Sequence, residues 1–251
     1  MKKLIIQVPC WNEELSIGAT LASLPEIVSG FDEVEWLVVD DGSTDNTVSE
    51  ARKAGAHHVV SLAQHEGLAA AFETGIHYAH SLGASVVVNT DADNQYDSRD
   101  IEKLTTPILE EGADLVVGDR HFSKLSYLPQ WKQGLYFLAE WIVSCAVRQH
   151  VPDPTSGFRA MNRSFVREIS LQDKHSYTLE TLIQAYFSGK KVKFVPVRTH
   201  IVQRPSRLIT SIPKYTLKTT HAFLRAYFQY AVASRFRLRL FPGKVVLEGQ
   251  D

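Results

Sequence analysis

The hydrophobic positions of this chain fall into short runs separated by longer segments with helical periodicity. The short runs are residues 4–8 (LIIQV), 36–39 (WLVV), 57–62 (HHVVSL), 84–88 (ASVVV) and 114–117 (DLVV). Apolar residues recur every three or four positions in the segments between them, at residues 12–28, 46–54, 67–83 and 98–111. Continuous apolar strands that alternate with helices predict an α/β fold, with a parallel sheet covered by helices on both faces.

The second part of the chain is less regular. It predicts a long apolar helix over 131–151, a loop rich in turn residues over 152–164, a helix over 177–188, an edge strand over 191–201, and a basic, aromatic helical region from Ser211 to Phe241. No uncharged apolar run reaches the length of about 18–20 residues that a bilayer span requires. We therefore expect no integral membrane protein.

Acidic residues stand where three of the predicted strands end. Asp40 and Asp41 follow the second strand, Asp91 and Asp93 follow VVVNT, and Asp119 precedes Arg120. Ligands of parallel sheets bind beyond the carboxyl ends of the strands, so this pattern predicts a ligand site at that edge.

Asp91 and Asp93 are two positions apart, and extended geometry would direct both carboxylates to the same side. Carboxylate oxygens suit a hard divalent cation, Mg²⁺ or Mn²⁺, and Gln95 offers a further oxygen or a hold on a bound water. Such a cation would neutralise the charge of a departing diphosphate. The alternative is that the two aspartates only cap a turn.

Composition and charge add a second feature. With 251 residues, 44% hydrophobic and 22% charged, the chain suits one large domain, with or without an appendage. The net charge of −1 conceals an asymmetry, since residues 190–251 contain 13 Lys/Arg and 2 Asp/Glu, a formal charge of +11. This basic segment predicts an anionic partner, such as phospholipid, nucleic acid or another phosphate, or else a solvated helical surface.

The two cysteines, Cys10 and Cys145, have no metal-like spacing, and the N-terminal apolar stretch is too short for a signal peptide. Both observations favour a reducing, cytoplasmic location.

The order of five segments resembles the family 2 glycosyltransferases with a GT-A (Rossmann-like) fold, most closely the polyprenyl-phosphate sugar transferases of the dolichyl-phosphate mannose synthase type. The segments are VPCWNEE, VVDDGSTD, NTDADNQY, VVGDR and DPTSGFRA. The resemblance covers about residues 3–210, and implies a GT-A domain over 1–210 with a C-terminal helical extension over 211–251. It implies an inverting, metal-dependent enzyme whose donor is a nucleoside diphosphate sugar and whose acceptor is a polyprenyl phosphate.

The resemblance also implies roles for individual residues. Nucleotide-sugar binding falls to Pro9, Trp11, Glu13, Val39, Asp41, Ala92, Arg120, Arg204 and Arg207. Trp11 stands where Tyr is more usual, with core packing as its alternative role, and Asp41 matches the position that contacts the nucleoside. In HIVQRPSRL, Ser206 and Arg207 fit the end of a mobile R-x-x-G-x-S-K segment, although Arg replaces Lys and the glycine is absent.

The catalytic set implied by the resemblance is Asp91, Asp93, Arg120 and Asp153, with Asp91, Asp93 and Gln95 at the metal. Arg120 matches an arginine that contacts phosphate, and a surface ion pair is the alternative. Asp153 is either a general base or a residue that positions its loop. The acceptor phosphate is assigned to Lys132, Arg120 and Ser206, while Arg159 is interpreted as structural, pairing with an acid nearby.

The basic, aromatic segment 211–251 predicts peripheral contact with the cytoplasmic face of a membrane, where a lipid-phosphate acceptor would be met. Packing on the catalytic domain or on a second subunit is the alternative. Two other functions stay open: transfer to a saccharide or another soluble hydroxyl, and nucleotide-sugar binding without turnover. Nucleic-acid binding is disfavoured, because the body is acidic and the tail has no RNA-binding motif.

Overall fold

The computed structural model describes residues 1–121, 130–172, 177–200, 220–221, 223–231, 239–241 and 244–246. Within these ranges the strands are β1 Lys3–Cys10, β2 Glu33–Asp40, β3 His58–Ser61, β4 Val86–Asn89, β5 Leu115–Asp119, β6 Arg159–Asn162, β7 Val192–Pro196, β8 Arg239–Phe241 and β9 Lys244–Val246. The helices are α1 Ile17–Ser23, α2 Thr47–Lys53, α3 Leu68–Ser81, α4 Ile101–Glu111, α5 Gln130–Val147, α6 Arg163–Glu168 and α7 Tyr177–Phe187, with a 3₁₀ turn at Ser98–Asp100 before α4.

Seven strands form one sheet in the order β3-β2-β1-β4-β6-β5-β7. All neighbours are parallel except β6, which runs antiparallel to both β4 and β5. The predicted α/β class and the predicted edge position of the seventh strand are both confirmed.

The prediction of an uninterrupted loop over 152–164 is wrong, because β6 lies within it. This strand begins with Arg159 and ends with Asn162, so it lacks the continuous apolar run by which the other strands were predicted. Arg159 is fully buried, and the Asn162 side chain accepts a hydrogen bond from the Phe165 N–H at the start of α6.

The sheet has a hydrophobic core on each face. Leu4, Ile6 and Val8 of β1 pack into one core with α1 and α4, whereas Ile5 packs into the other with α3 and α7. Side chains of a strand alternate between the two faces, so a strand covered on both sides must be apolar at successive positions. This explains why the continuous apolar runs of the sequence became the central strands.

The helix predicted over 12–28 is shorter in the structure, where α1 spans only Ile17–Ser23. Asn12 has a left-handed φ of 52°, which excludes it from a helix. The N–H groups of Asn12 and Glu13 are bound instead by the hydroxyls of Ser43 and Thr47, at 2.8 and 2.7 Å. The first loop is therefore attached to the segment after β2.

The helical prediction for the C-terminal region holds only in part. Residues 220, 221 and 223–231 are helical, whereas β8 and β9 form an antiparallel pair where helix was predicted up to Phe241. The alternating sequence RFRLRLF, followed by Pro242-Gly243, is typical of a strand that enters a turn. Among the described residues, no helix is both long enough and apolar enough to cross a bilayer.

Candidate active site

The predicted functional residues come together at the carboxyl edge of the sheet. Asp41 follows β2, Asp91 and Asp93 follow β4, and Arg120 follows β5. Asp153 precedes the antiparallel strand β6, whose first residue pairs with the last residue of β4, so it reaches the same edge from the opposite direction. One edge thus carries four carboxylates and one guanidinium.

Trp11, which follows β1, and His65, which follows β3, form a flat aromatic surface at this edge, here called the aromatic shelf. The rings of Trp11 and His65 are stacked, with centroids 4.1 Å apart and an interplanar angle of 19°. His65 Nδ1 lies 2.8 Å from Asp41 Oδ2, and the Asp41 carboxylate also accepts hydrogen bonds from the Glu66 and Gly67 N–H groups, at 2.7 and 2.9 Å. The Asp41 carboxylate therefore connects the His65 ring to the residues that lead into α3.

Two predicted nucleotide-side residues, Pro9 and Val39, are paired in register across β1 and β2, and both are buried. Val39 is fully inaccessible to solvent, and the nucleotide-binding assignments of both residues stay predictions from the sequence. Glu13 is also buried, and its carboxylate accepts a hydrogen bond from the Ser16 hydroxyl at 2.6 Å.

The loop with Asp91 and Asp93 is not extended, because β4 ends at Asn89 and Asn94 has a left-handed φ of 56°. The sequence analysis expected extended geometry to direct both carboxylates to the same side. The backbone is not extended here, so their orientation is set by the loop instead. Asp93 Oδ1 accepts a hydrogen bond from the Gln95 N–H at 3.1 Å, and the Ala92 carbonyl accepts one from the Thr20 hydroxyl at 2.9 Å. These two bonds fix the loop from within and from α1.

Asp91 lies directly against Gly157. A Cβ placed on Gly157 would stand 2.9 Å from Asp91 Oδ1 and 2.7 Å from the Tyr177 hydroxyl, so any larger residue would force at least one of these two side chains to shift. Burial, followed by the negative charge of Asp91, raises the pKa of Tyr177 well above its usual value. The phenol consequently stays neutral beside the carboxylate.

A buried polar network supports this position from below. Asn89 Nδ2 donates to the Gly157 carbonyl at 2.8 Å and to the Tyr177 hydroxyl at 2.9 Å, and Gln7 Nε2 donates to Asn89 Oδ1 at 2.8 Å. All three side chains are almost completely inaccessible to solvent. Buried networks of this kind hold their members in one arrangement.

Arg120 and Asp153 form a buried, two-pronged ion pair. The Nε–Oδ2 distance is 2.7 Å and the Nη2–Oδ1 distance is 2.9 Å, and Thr155 Oγ1 accepts a further bond from Nη2 at 3.0 Å. Burial alone would raise the pKa of Asp153, but the charge and hydrogen bonds of Arg120 outweigh it and lower that pKa. The pair is therefore ionised and is no surface contact.

Tyr96 joins the ion pair to the glycine loop. Its hydroxyl accepts from Arg120 Nη1 at 3.2 Å and from the Gly157 N–H at 3.1 Å, and its ring stacks on Phe158 at 4.8 Å. The Tyr96 segment is held in turn by the residues after β7, where the His200 N–H donates to the Gln95 carbonyl at 2.7 Å.

Arg159 is fully buried, and its partners differ from those expected. Its guanidinium donates to the carbonyls of Pro154, Ser156 and Thr178, at 3.1, 2.7 and 2.7 Å, and to the Thr181 hydroxyl at 2.5 Å, where an acid had been predicted as the partner. Burial lowers its pKa to about 10. These bonds fix the segment between Asp153 and β6.

The side chains of four predicted residues are not described by the structure. Arg204, Ser206 and Arg207 fall outside the described residues, and Lys132 lies in α5 but its side chain is not among those described. Their assignments stay predictions from the sequence.

Residues 5–170 match the family model described as Glycosyl transferase family 2. The chain belongs to glycosyltransferase family 2. The transferase is 29% identical over 194 residues to the dolichyl-phosphate hexose transferase of Haloferax volcanii, with 77% of this chain and 81% of the relative covered. It is 28% identical over 220 residues to the UDP-N-acetylglucosamine–dolichyl-phosphate N-acetylglucosaminyltransferase of Methanococcus voltae, covering 79% and 86% of the two chains.

Solved structures of similar fold agree with the family. Glucosyl-3-phosphoglycerate synthase from Mycobacterium tuberculosis, in complex with Mn²⁺, UDP-glucose and phosphoglyceric acid, superposes with a TM-score of 0.71 over 92% of the transferase and 80% of that chain. At 20% identity this likeness shows the GT-A fold alone.

The side chains of the transferase suit a divalent cation as part of a ternary complex. Asp91, Asp93 and Gln95 offer hard oxygen atoms, which Mg²⁺ and Mn²⁺ prefer. Within the described ranges, no group of three or more His, Cys, Asp or Glu side chains is placed to hold a metal by itself. A donor set of two carboxylates fits a cation that retains waters and takes phosphate oxygens from its substrate.

Sequence reasoning missed several residues around this edge. Gln7, Asn89 and Tyr177 carry the buried network, and the half-exposed His65 stacks on Trp11. A signal was available for the first two, because a polar residue inside a continuous apolar strand must find a partner. Tyr177 and His65 carried none, since their partners are distant in the chain.

Proposed function

We propose that this glycosyltransferase moves a hexose from a nucleoside diphosphate sugar to a polyprenyl phosphate, with inversion at the anomeric carbon. The observation that carries the proposal is that Asp91 contacts Gly157, which the Tyr96 hydroxyl links to the Arg120–Asp153 pair, at the sheet edge that also carries Asp93. The relatives named for dolichyl-phosphate acceptors support the choice of acceptor.

Asp91 and Asp93, with Gln95, would hold Mg²⁺ or Mn²⁺ on the donor side. The bound cation supplies positive charge that neutralises the departing diphosphate. The buried network of Gln7, Asn89 and Tyr177 keeps the Asp91 carboxylate in place before the donor arrives, which lowers the reorganisation needed during transfer.

The nucleoside is assigned to the aromatic shelf. Trp11 and His65 together offer a planar surface for the base, and Asp41 orients the imidazole of His65. Ala92 is buried beside Thr20, so its contribution is to shape the loop between the two aspartates.

Arg120 is assigned to phosphate and Asp153 to the positioning of Arg120. Both oxygens of Asp153 are engaged by the guanidinium, and its lowered pKa makes it a poor proton acceptor. A phosphate acceptor does not need a strong base, because a phosphate monoester is already anionic at neutral pH. Lys132, Arg204, Ser206 and Arg207 are kept as phosphate-binding predictions.

The acceptor determines where the enzyme works. A polyprenyl phosphate exposes its phosphate at the bilayer surface, so we place the enzyme peripherally on the cytoplasmic face, in contact through the basic segment 211–251. The domain limits of 1–210 and 211–251 are part of the same proposal.

The test is a donor screen with Mg²⁺ and with Mn²⁺, following release of nucleoside diphosphate with and without a polyprenyl phosphate in detergent micelles. We expect release that depends on both the metal and the acceptor. Asp91→Asn and Asp93→Asn should each lower kcat by about 100-fold or more, since each removes a ligand that acts on the leaving group.

Glu26→Gln is the matched control, because Glu26 is exposed and lies outside the edge with the carboxylates. It should leave turnover unchanged. Metal-dependent release that occurs only with a soluble saccharide would replace the acceptor assignment by the hydroxyl alternative. Tight donor binding with no release would favour a binding protein without turnover.

A further inference from the structure

Helix α5 presents its apolar side to solvent. Phe137 and Trp141 are 61% and 57% exposed, and Leu138 and Ile142 are exposed beside them. Residues spaced by four positions lie above one another on a helix, so these four side chains form one continuous surface, here called the apolar stripe. An ordinary surface helix instead presents charged and polar side chains to solvent.

The inner side of α5 carries both polar and apolar residues. Gln133, Tyr136 and Glu140 are partly buried and each has an interaction partner, and Ser144 Oγ accepts a hydrogen bond from the Val151 N–H at 3.0 Å. Val143 is buried in the same core cluster as α7. These contacts fix the rotation of α5, so the apolar stripe stays outside.

Exposed apolar residues elsewhere in the described ranges are more scattered. Leu15 and Ile27, for example, lie in separate loops. A second exposed pair, Leu224 and Phe228, lies one turn apart on the helix over 223–231, which packs on the same core cluster as α5. Contiguous exposed apolar surface of this kind marks an interaction site in a soluble domain.

The charges around this surface favour lipid as its occupant. Arg148 is exposed directly after α5, and Arg225 is exposed next to Leu224 on the helix over 223–231. A second copy of the chain would bring like charges together, whereas anionic headgroups would neutralise them. Trp and Phe are also the side chains that insert at the boundary of headgroups and acyl chains.

The position of α5 in the chain agrees with this occupant. Gln130, the first residue of α5, follows Arg120 by only ten residues. We propose that the apolar stripe of α5 inserts into an anionic bilayer and so brings the carboxyl edge of the sheet to the membrane. This inference rests on the proposed function, because it requires an acceptor that lies in a membrane.

The experiment measures binding of the full chain to sedimented vesicles of phosphatidylcholine, with and without phosphatidylglycerol. We expect binding that requires the anionic lipid and shifts the tryptophan fluorescence to shorter wavelength, a shift that Trp141→Gln should reduce. The double variant Phe137→Gln with Trp141→Gln, here called the stripe variant, no longer buries two aromatic side chains in lipid. Its partitioning into vesicles should therefore be weaker by about tenfold or more. The control, Leu15→Gln combined with Ile27→Gln, replaces two apolar residues that are even more exposed and should bind as the wild type does.

Three results would overturn the inference: a stripe variant that binds vesicles normally, a wild type that ignores anionic vesicles, or a dimer in sedimentation velocity that the stripe variant dissociates. Transfer to polyprenyl phosphate in detergent micelles is measured on the same proteins. The stripe variant should retain it there. A wild type without such transfer contradicts the proposed function, while normal transfer with unaltered vesicle binding contradicts only the docking surface.

Discussion

At the scale of single residues, the position of Asp91 depends on a residue that has no functional group. Gly157 leaves just enough room for the Asp91 carboxylate and the Tyr177 hydroxyl, and its own carbonyl is held by Asn89. A metal ligand has to stand within a few tenths of an ångström of its productive position. The absence of a side chain at Gly157 is therefore part of the geometry of the site.

Gly157→Ala tests this dependence. The added methyl group would overlap the Asp91 and Tyr177 oxygens, which forces the carboxylate to move. We expect kcat/KM to fall by about 10- to 100-fold, because a displacement of about 1 Å in a catalytic group has such an effect. The apparent affinity for Mn²⁺ should fall in parallel, as measured by titrating activity with the metal.

Gly18→Ala is its control, since a Cβ on Gly18 meets no atom within 4 Å and the residue lies in α1. That variant should keep full activity and gain up to about 1 kcal/mol in stability, the usual effect of Gly→Ala in a helix. If Gly157→Ala is as active as the wild type at limiting Mn²⁺, Asp91 is not held in the way described.

At the scale of elements, the Arg120–Asp153 pair links the end of β5 to the segment that leads into β6. Arg159 secures the same segment from within through its bonds to main-chain carbonyls. An antiparallel strand is thereby fixed inside a parallel sheet, at the point where Gly157 has to approach Asp91.

Asp153→Asn should destabilise the fold by about 3–5 kcal/mol at pH 7, because it leaves the buried charge of Arg120 without its counterion. The pKa of Asp153 is lowered in the folded state, so its contribution is complete above the ordinary carboxyl pKa of about 4 and is lost as the pH falls through the folded pKa. Urea unfolding between pH 7 and pH 2 should accordingly show a flatter acid dependence in the variant than in the wild type.

A double variant, Arg120→Met with Asp153→Leu, separates stability from activity. Replacing both members of a buried pair by apolar residues is often neutral for stability, so this protein should be more stable than Asp153→Asn. It should nevertheless have lost transfer, because the phosphate contact of Arg120 is gone. Retained transfer would show that Arg120 serves only the fold.

The elements also show what the sequence could predict. β1, β2 and β5 followed from their continuous apolar runs, and α3 followed from its periodicity, because these patterns are local. β6 and the late start of the first predicted helix depend on partners elsewhere in the chain: Arg159 on the Thr178 carbonyl, and Glu13 on Thr47. The edge of the site was predictable from strand ends, but the packing of Gly157 on Asp91 was not.

At the scale of the whole molecule, the core on the α3 and α7 face of the sheet extends beyond the catalytic motifs. Phe223, Ala226 and Tyr230 are buried in that core, and the Tyr230 hydroxyl donates to the Ser170 carbonyl at 3.2 Å. The helix over 223–231 is thus part of this core, while the sequence resemblance ends near residue 210. The proposed domain limit at 210 and this packing lead to different expectations for a shortened chain.

A chain ending at residue 210 should unfold at a clearly lower temperature than one ending at residue 231, because it loses three side chains that each contribute about 1–2 kcal/mol by burial. Neighbouring substitutions in the full chain isolate the cause. Phe223→Ala removes a buried ring and should cost about 2–4 kcal/mol, whereas Leu224→Ala removes an exposed side chain and should change the free energy of unfolding by less than about 0.5 kcal/mol. Equal melting temperatures for the two shortened chains, together with a harmless Phe223→Ala, would instead place the end of the folded unit at residue 210.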